Sequence, residues 1–419
     1  MVIDSGRERE LRRHQRTSTS VLVTDWVSRA SAKQRAGRAG RVQPGICLKL
    51  YSSETAKAMK ASTEPELKRV SLEQTCLLIL SSRGFGDCLS FLRQAPQPPQ
   101  DKSIEAALIA LEQVGATAGD RRSLTPLGQH LARLPVDVRI GKLLIMGALF
   151  NCLHSSLTIA ASLSSKSPFP TYFNDADVAK AKHAVFKDIE SGSDFVTLCN
   201  VWDAFAKESG QSYTFCRKNY LDHAALCEIS SARKEFLNLL SSIGFVSKTD
   251  AASFGSRAWD TCGANVNSKK WPVIHAVACA GLSPNFARLD ASGPVARLFQ
   301  NQQEILFHKS SINAGRKRFP RDQQWVVFND KFGTSGRVSV SVTCFVSPLP
   351  LLLFGSSVKV QHSQRKVVID EWLEIPMPAQ TAVTLVQLRT QIDALLEQLV
   401  RSTDRIKTHL MNEIAQILH

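Results

Sequence analysis

The segment from Gln34 to Arg41, with the sequence QRAGRAGR, combines residue types and spacing suited to handling phosphate. Arg38 and Arg41 lie three residues apart, so on a helical turn their guanidinium groups would share a face. Phosphoryl transfer spreads negative charge over the γ-phosphoryl oxygens, and two guanidinium groups aimed at one point stabilise such charge. Gln34 could position a phosphate or the attacking water, while Gly37 lets the backbone approach a neighbouring surface closely. An arginine- and glycine-rich loop that is solvated or binds RNA would have the same composition, so the spacing alone leaves both interpretations open.

The residues around this segment predict short strands that would position it. Residues 2–6 read as the end of a buried strand that turns into a loop, residues 21–24 as a short strand, and residues 46–51 as a strand that closes the region. Arg35 is expected to form a structural ion pair rather than to bind a ligand.

Helical periodicity dominates the middle of the chain. In the block that follows, Ser71 and Gln74 have the spacing of a capping box, Ser103 could begin a second helix, and Gly115 could end it. From residue 135 onward the apolar spacing predicts helices over residues 141–150, 177–189, 194–206 and 221–243. These features indicate a block of winged-helix size followed by a helical bundle.

Past residue 247, short apolar runs separated by Gly, Pro, Asn and Ser predict strands. The runs cover residues 274–280, 295–299, 304–308, 324–329, 337–345 and 351–354. Several short strands at close spacing indicate a small barrel. Residues 382–418 have the pattern of an amphipathic helix that would pack on the protein or on a partner.

Composition narrows the class of partner. The formal net charge of +15 and the pI of about 9.5 favour an anionic partner, such as nucleic acid or an acidic membrane face. No apolar stretch reaches the length of about 18 residues that a membrane span requires. The ten cysteines are scattered without a CxxC pair, which argues against a zinc site and predicts free thiols in a reducing intracellular compartment, the cytoplasm or the nucleus.

Gln34 to Arg41 matches, letter for letter, the motif VI pattern QRxGRAGR of superfamily 2 helicases. Residues 26–33 and 2–10 resemble the sequences that lead into motif VI and follow motif V in DEAH/RHA enzymes. Downstream, the resemblance to this family continues over most of the chain, in residues 64–73, 91–115, 124–151, 162–169, 215–220, 307–313 and 346–355. Within the family, the chain is most similar to the large RHA-like RNA helicases.

The resemblance implies a multidomain fold with α/β, α and β parts. It implies a partial second RecA-like lobe with motif VI (1–62), a winged helix (63–134), a helical ratchet bundle (135–246), an OB-like small β-barrel (247–376) and a C-terminal amphipathic helix (377–419). It further implies that the protein binds single-stranded RNA and couples ATP hydrolysis to RNA unwinding or remodelling. Arg38 and Arg41 would be arginine fingers, and together with Gln34 and Gly37 they would line a site for ATP with Mg²⁺.

The sequence departs from a complete helicase in two respects. It contains no GxxxxGK[ST] phosphate loop, and its Asp-Glu dipeptide, Asp370-Glu371, is followed by Trp372 instead of forming a DEAH box. We therefore expect this chain by itself to be inactive as an ATPase. It would be part of a longer helicase, a short RNA-binding protein without catalysis, or a chain whose first lobe comes from a partner.

Candidate RNA contacts lie in the bundle and the barrel. They are Lys166, Ser310, Ser311, Asn313, Arg316 and Lys317. Hydroxyl, amide and cationic groups can contact phosphates or base edges. For each there is a structural alternative: a surface lysine at a helix end, a capped turn, or a solvated basic face. Asp137 and Arg139 are expected to be a structural pair at a domain junction. The repetitive residues 337–342 depart from the family's barrel pattern.

Overall fold

The structure is a computed structural model that describes residues 1–13, 20–63, 65–82, 84–172, 174–208, 210–292, 296–320, 323–334, 337–401 and 408–418. The N-terminal residues form short strands and helices around the arginine-rich segment. These elements are β1 (Val2–Asp4), β2 (Arg7–Arg13), β3 (Ser20–Trp26), α1 (Arg29–Gly37), a 3₁₀ turn (Arg38–Gly40), β4 (Cys47–Lys49) and α2 (Ser53–Ala58). β1 pairs in parallel with β4, and β2 pairs with β3 as an antiparallel hairpin.

A small helical block follows. Its helices are α3 (Glu66–Arg69), α4 (Glu73–Ser81), α5 (Cys88–Leu92), α6 (Asp101–Val114) and α7 (Pro126–Ala132). The predicted capping box is wrong, because the Gln74 amide donates to the carbonyl of Leu134 at 3.1 Å. The helix assigned to a Ser103 cap begins earlier, at Asp101, whereas Gly115 does end it in the left-handed conformation that favours glycine, with φ of 84°.

The helical bundle and its extension form the largest part of the core. They comprise α8 (Val138–Leu149), α9 (Leu153–Ser164), α10 (Ala176–Ala184), α11 (Asp194–Lys207), α12 (Ser212–Lys218), α13 (His223–Ser242), α14 (Lys248–Ala252), α15 (Arg257–Thr261) and α16 (Trp271–Leu282). The strand predicted over residues 274–280 is wrong, since these residues lie within α16. This helix is apolar on nearly all sides because it is buried on nearly all sides, so its sequence shows no amphipathic period.

A small closed barrel comes next. Its elements are β5 (Phe286–Asp290), β6 (Arg297–Gln300), β7 (Gln303–Phe307), β8 (Trp325–Thr334) and β9 (Arg337–Val346), followed by α17 (Pro348–Phe354). The ring runs β8-β5-β6-β7-β9 and closes because β9 also pairs with β8. The small barrel is thereby confirmed, but the strand predicted over residues 351–354 is part of α17. The N-terminal hairpin joins this sheet where Ser20 pairs with Phe332.

The C-terminal residues form a second small sheet and two helices. These elements are β10 (Val358–Gln361), β11 (Lys366–Ile369), β12 (Leu373–Pro376), α18 (Ala379–Arg401) and α19 (Thr408–Leu418). Ile392 and Leu399 of α18 and Met411 of α19 are buried in the main core, so the predicted amphipathic helix packs on the protein. Residues 402–407 of that helix lie outside the described residues. Among the described helices, none has the length and apolar character needed to cross a membrane.

Candidate nucleotide and nucleic-acid interfaces

An ion pair attaches the arginine-rich segment to β1. Arg35 Nη1 donates to Asp4 Oδ1 at 3.0 Å, and its guanidinium also lies 3.7 Å from Glu8. Asp4 is buried, and burial alone would raise its pKa, but hydrogen bonds from the Gly6 amide and from Arg35 lower the pKa below its usual value. Arg35 therefore has the structural role predicted for it, and it fixes α1 against the sheet.

The residues predicted to bind nucleotide lie on one open surface. Ser28 caps α1 by accepting a hydrogen bond from Ser31 N at 3.1 Å, and the helix continues into the 3₁₀ turn that carries Arg38. Arg38 and Arg41 both have right-handed helical backbone angles, so side chains three residues apart are nearly eclipsed.

Gln34, Gly37, Arg38 and Arg41 are all exposed. A Cβ built on Gly37 would meet no atom of the described residues within 4 Å. These four residues are therefore accessible to solvent, and no described residue covers Gly37.

Ser311 and Asn313 lie inside the protein, where the barrel meets the bundle. Their exposed fractions are 6% and 1%. Ser311 Oγ lies 2.8 Å from Thr343 Oγ1, and Asn313 Nδ2 donates to the carbonyl of Gly192 at 2.9 Å. Of the alternatives considered for these two residues, the geometry favours the structural one, because burial leaves them little surface to offer to RNA.

Asp194, the first residue of α11, completes this joint. Its carboxylate accepts hydrogen bonds from Ile312 N at 2.9 Å, Thr343 N at 2.7 Å and Thr343 Oγ1 at 3.1 Å. Burial raises the pKa of Asp194, and these hydrogen bonds oppose that shift. Sequence reasoning missed this residue as a site component. The sequence signal was an Asp at a helix start after Gly192 and Ser193, which also fits an ordinary helix N-terminus.

The other half of the same loop faces solvent. Ser310 is exposed, and its hydroxyl lies 2.7 Å from His308 Nδ1. Arg316 is half-buried with its guanidinium carbon 4.9 Å from the ring centre of Phe319, and Lys317 is exposed. The loop therefore has an anchored inner side and a basic outer side.

The remaining two candidates lie in the bundle. Lys166 is exposed, and its Nζ pairs with Asp222 Oδ2 at 2.8 Å, at the N-terminus of α13. Asp137 caps α8 by accepting from Arg139 N at 2.9 Å, and the Arg139 guanidinium lies 3.9 Å from Glu73 in α4. Arg139 thus joins two helical blocks, as predicted for a junction residue, although its charged partner is Glu73.

Three protein-family models match parts of this chain. The helicase associated domain (HA2), ratchet-like, matches residues 137–198; the oligonucleotide/oligosaccharide-binding (OB)-fold matches residues 274–358; and the C-terminal domain in RNA helicases matches residues 365–418. The chain is 36% identical to DExH-box ATP-dependent RNA helicase DExH4, chloroplastic, of Arabidopsis thaliana, over 96% of this chain and 30% of the relative. It is 36% identical to ATP-dependent RNA helicase DHX29 of Homo sapiens, over 95% of this chain and 29% of the relative. It is 35% identical to ATP-dependent DNA/RNA helicase DHX36 of Bos taurus, over 96% of this chain and 39% of the relative.

Over at least 95% of its length the chain is similar to helicases of the DEAH/RHA family. It spans about three tenths of the length of the DExH4 and DHX29 helicases and matches the C-terminal region of this family. The helical bundle of the structure contains the helicase ratchet domain, and the closed barrel is the helicase OB-fold.

Proposed function

We propose that this chain is the RNA-binding C-terminal part of an ATP-dependent RNA helicase, which couples ATP hydrolysis to RNA unwinding or remodelling. The proposal rests on the exposed turn that carries the motif VI residues, which the Arg35–Asp4 ion pair holds against β1. The similarity to the ATP-dependent RNA helicase DHX29, which extends over 95% of this chain, supports it further. In this proposal residues 1–62 contribute to the second RecA-like lobe, and residues 63–134 form the winged helix.

The nucleotide role follows from charge and exposure. Arg38 and Arg41 would bind the γ-phosphate of ATP and stabilise the charge that develops on it during hydrolysis, while Gln34 would orient the phosphate or the water. Bound Mg²⁺ would neutralise phosphate charge. The open surface at Gly37 would let the partner lobe approach the backbone closely. Neither a phosphate loop nor a DEAH box occurs in the 419 residues, so the rest of the ATP site would come from outside this sequence.

The RNA role rests on the barrel loop and the overall charge. The net charge of +15 favours single-stranded RNA held through its phosphates. On the solvent side of the loop, Ser310, Arg316 and Lys317 would contact the RNA together with the neighbouring exposed Arg318. Ser311 and Asn313 would support them from the buried side. Lys166 would contribute when RNA replaces Asp222 as its partner. The exposed faces of α18 and α19 are the candidate surface for a protein partner, and the ten cysteines suit a reducing compartment such as the cytoplasm or nucleus.

A titration of the 419-residue chain with a labelled single-stranded oligouridine tests the RNA role. We expect binding that weakens steeply with salt, since phosphate binding releases counterions. The double variant Lys317→Gln/Arg318→Gln should reduce the slope of log K against log salt by about 1.4, the value for two phosphate contacts on a single strand. The matched control Lys359→Gln/Arg365→Gln removes the same charge from exposed residues on β10 and beside β11, and it should leave the slope unchanged. A wild-type chain that does not bind RNA at low salt would refute the proposal.

The alternative is an RNA-binding module without catalysis. The lack of a phosphate loop in the sequence favours it. Immunoblotting of the endogenous protein with an antibody against α19 separates the two possibilities. A band only at 46.2 kDa supports the module, whereas a much larger band whose immunoprecipitate hydrolyses ATP when RNA is added supports the helicase.

A further inference from the structure

The joint between the ratchet bundle and the barrel depends on one buried carboxylate. Asp194 is 7% exposed, and its carboxylate accepts hydrogen bonds from Ile312 N, Thr343 N and Thr343 Oγ1, whose residues are 118 and 149 positions away in the chain. The Ile312 and Thr343 donors at N are backbone amides, and they would be left without this acceptor if the carboxylate were lost. An unpaired buried amide is costly, so Asp194 strongly restricts where the barrel loop can lie.

Contacts on both sides of Asp194 extend the joint. Asn313 Nδ2 also donates to Thr343 Oγ1 at 3.0 Å, and Gln323 Nε2 donates to the carbonyl of Glu190 at 2.6 Å. Gly192 has φ of 62°, and a Cβ at this position would lie 2.6 Å from the Phe345 ring, so the turn before α11 is packed directly against β9. The loop between β7 and β8 is therefore attached to the ratchet bundle at several points.

This attachment determines where the positive charges of the loop point. Ser311 and Asn313 face the joint, while Lys309, Lys317 and Arg318 on the same loop are exposed. A rigid inner side fixes the direction of the outer side, because only a few residues separate the buried positions from the exposed ones.

We infer that Asp194 is a positioning residue for RNA binding: it holds the barrel loop so that the basic side chains of the loop reach RNA phosphates in register with the ratchet bundle. This inference rests on the proposed RNA binding and deepens it. Asp194 would not touch RNA itself.

The test compares Asp194→Asn with Asp203→Asn in the full 419-residue chain. Asp203 lies on the same helix, but it is half-exposed and pairs with His154 of α9 at 3.1 Å. Binding to a labelled oligouridine of about 16 nucleotides is measured over a range of salt concentrations. Asp194→Asn should weaken binding roughly tenfold and reduce the salt slope by about 1.4, as if two phosphate contacts were lost. Asp203→Asn should change neither quantity.

Two further measurements separate positioning from loss of structure. Circular dichroism at the assay temperature establishes that each variant is folded. In the Lys317→Gln/Arg318→Gln background, Asp194→Asn should have little additional effect on affinity, since the side chains it positions are already neutral. If Asp194→Asn does not fold, the variant Thr343→Val is measured instead. It removes the hydroxyl that contacts Asp194, Ser311 and Asn313 while keeping the shape of the side chain.

The possible outcomes are distinct. A wild-type chain without RNA binding overturns the proposed function itself. If the wild-type chain binds RNA and folded Asp194→Asn has the same affinity and salt slope, the positioning role alone is overturned. The same holds for Thr343→Val where Asp194→Asn fails to fold. Fully additive effects of Asp194→Asn and the loop double variant also overturn it, since they would show that the two sites act independently.

Discussion

His275 on α16 makes the stability of this protein sensitive to mild acid. Its Nε2 atom is shielded from solvent and has no hydrogen-bond partner among the described residues. Burial lowers the pKa of His275 from its ordinary value of 6.5 to about 4, and the charge of Asp188 opposes this shift in part. The folded protein therefore disfavours the imidazolium form that the unfolded chain accepts readily.

The size of the effect follows from proton linkage. Because the folded pKa lies below the unfolded one, the contribution of His275 is complete above pH 6.5 and is lost as the pH falls towards 4. Between pH 7 and pH 5 the free energy of unfolding should fall by about 2 kcal/mol through this group alone. The variant His275→Gln keeps a polar side chain of similar volume but cannot titrate, so it should lack this part of the decrease.

Urea unfolding at pH 7 and pH 5, followed by tryptophan fluorescence, measures the difference. Trp271 is a local reporter, since its ring centre lies 6.2 Å from that of His275. His130 and His183 also have pKa values lowered by burial, but they contribute equally to wild type and variant. Equal losses of unfolding free energy in the two proteins would show that His275 is not held neutral by its surroundings.

The other predictions concern helix packing and the nucleotide site. Gly281→Ala should destabilise the protein by about 1–3 kcal/mol, because the added methyl would lie 2.7 Å from the Cα of Leu143 on α8. Thermal unfolding measures this loss of stability, with Gly141→Ala as the comparison. The methyl added at Gly141 would meet only a movable side-chain end, so this variant should be destabilised far less. In a longer form of the protein with an ATP-binding lobe, Arg41→Ala should lower ATP turnover by roughly 10³-fold with little change in ATP affinity. Steady-state kinetics should find near-normal turnover for the exposed control Lys57→Ala, and near-normal turnover of Arg41→Ala itself would refute the arginine-finger assignment.

Hydrophobic periodicity in the sequence predicted helices correctly where one face of the helix is buried and the other is exposed to solvent. The periodicity over residues 194–206 and 221–243 predicted both ends of α11 and α13 to within two residues. The same reasoning failed at α16 and α17, where burial on nearly all sides removes the polar face. Short apolar runs without such a face are compatible with either a strand or a helix, and only packing distinguishes them.

In the candidate RNA loop, too, the sequence could not show which residues are buried. The sequence made residues in the segment 310–317 candidates for RNA contact, but it could not separate Ser311 and Asn313, which are buried, from Ser310 and Lys317, which are exposed. Their orientation depends on Asp194 and Thr343, and contacts over more than a hundred residues leave no periodic trace in one sequence.

By itself, the sequence showed the resemblance to helicases and predicted the phosphate chemistry proposed for residues 34–41. Eight consecutive residues were enough for that prediction, because the arginine spacing is a property of one helical turn and needs no distant partner to define it. The tertiary structure decided which polar residues of the barrel loop are free to meet a ligand. That outcome depends on the attachment of the barrel to the ratchet bundle at Asp194, which joins residues that lie 118 and 149 positions apart in the chain.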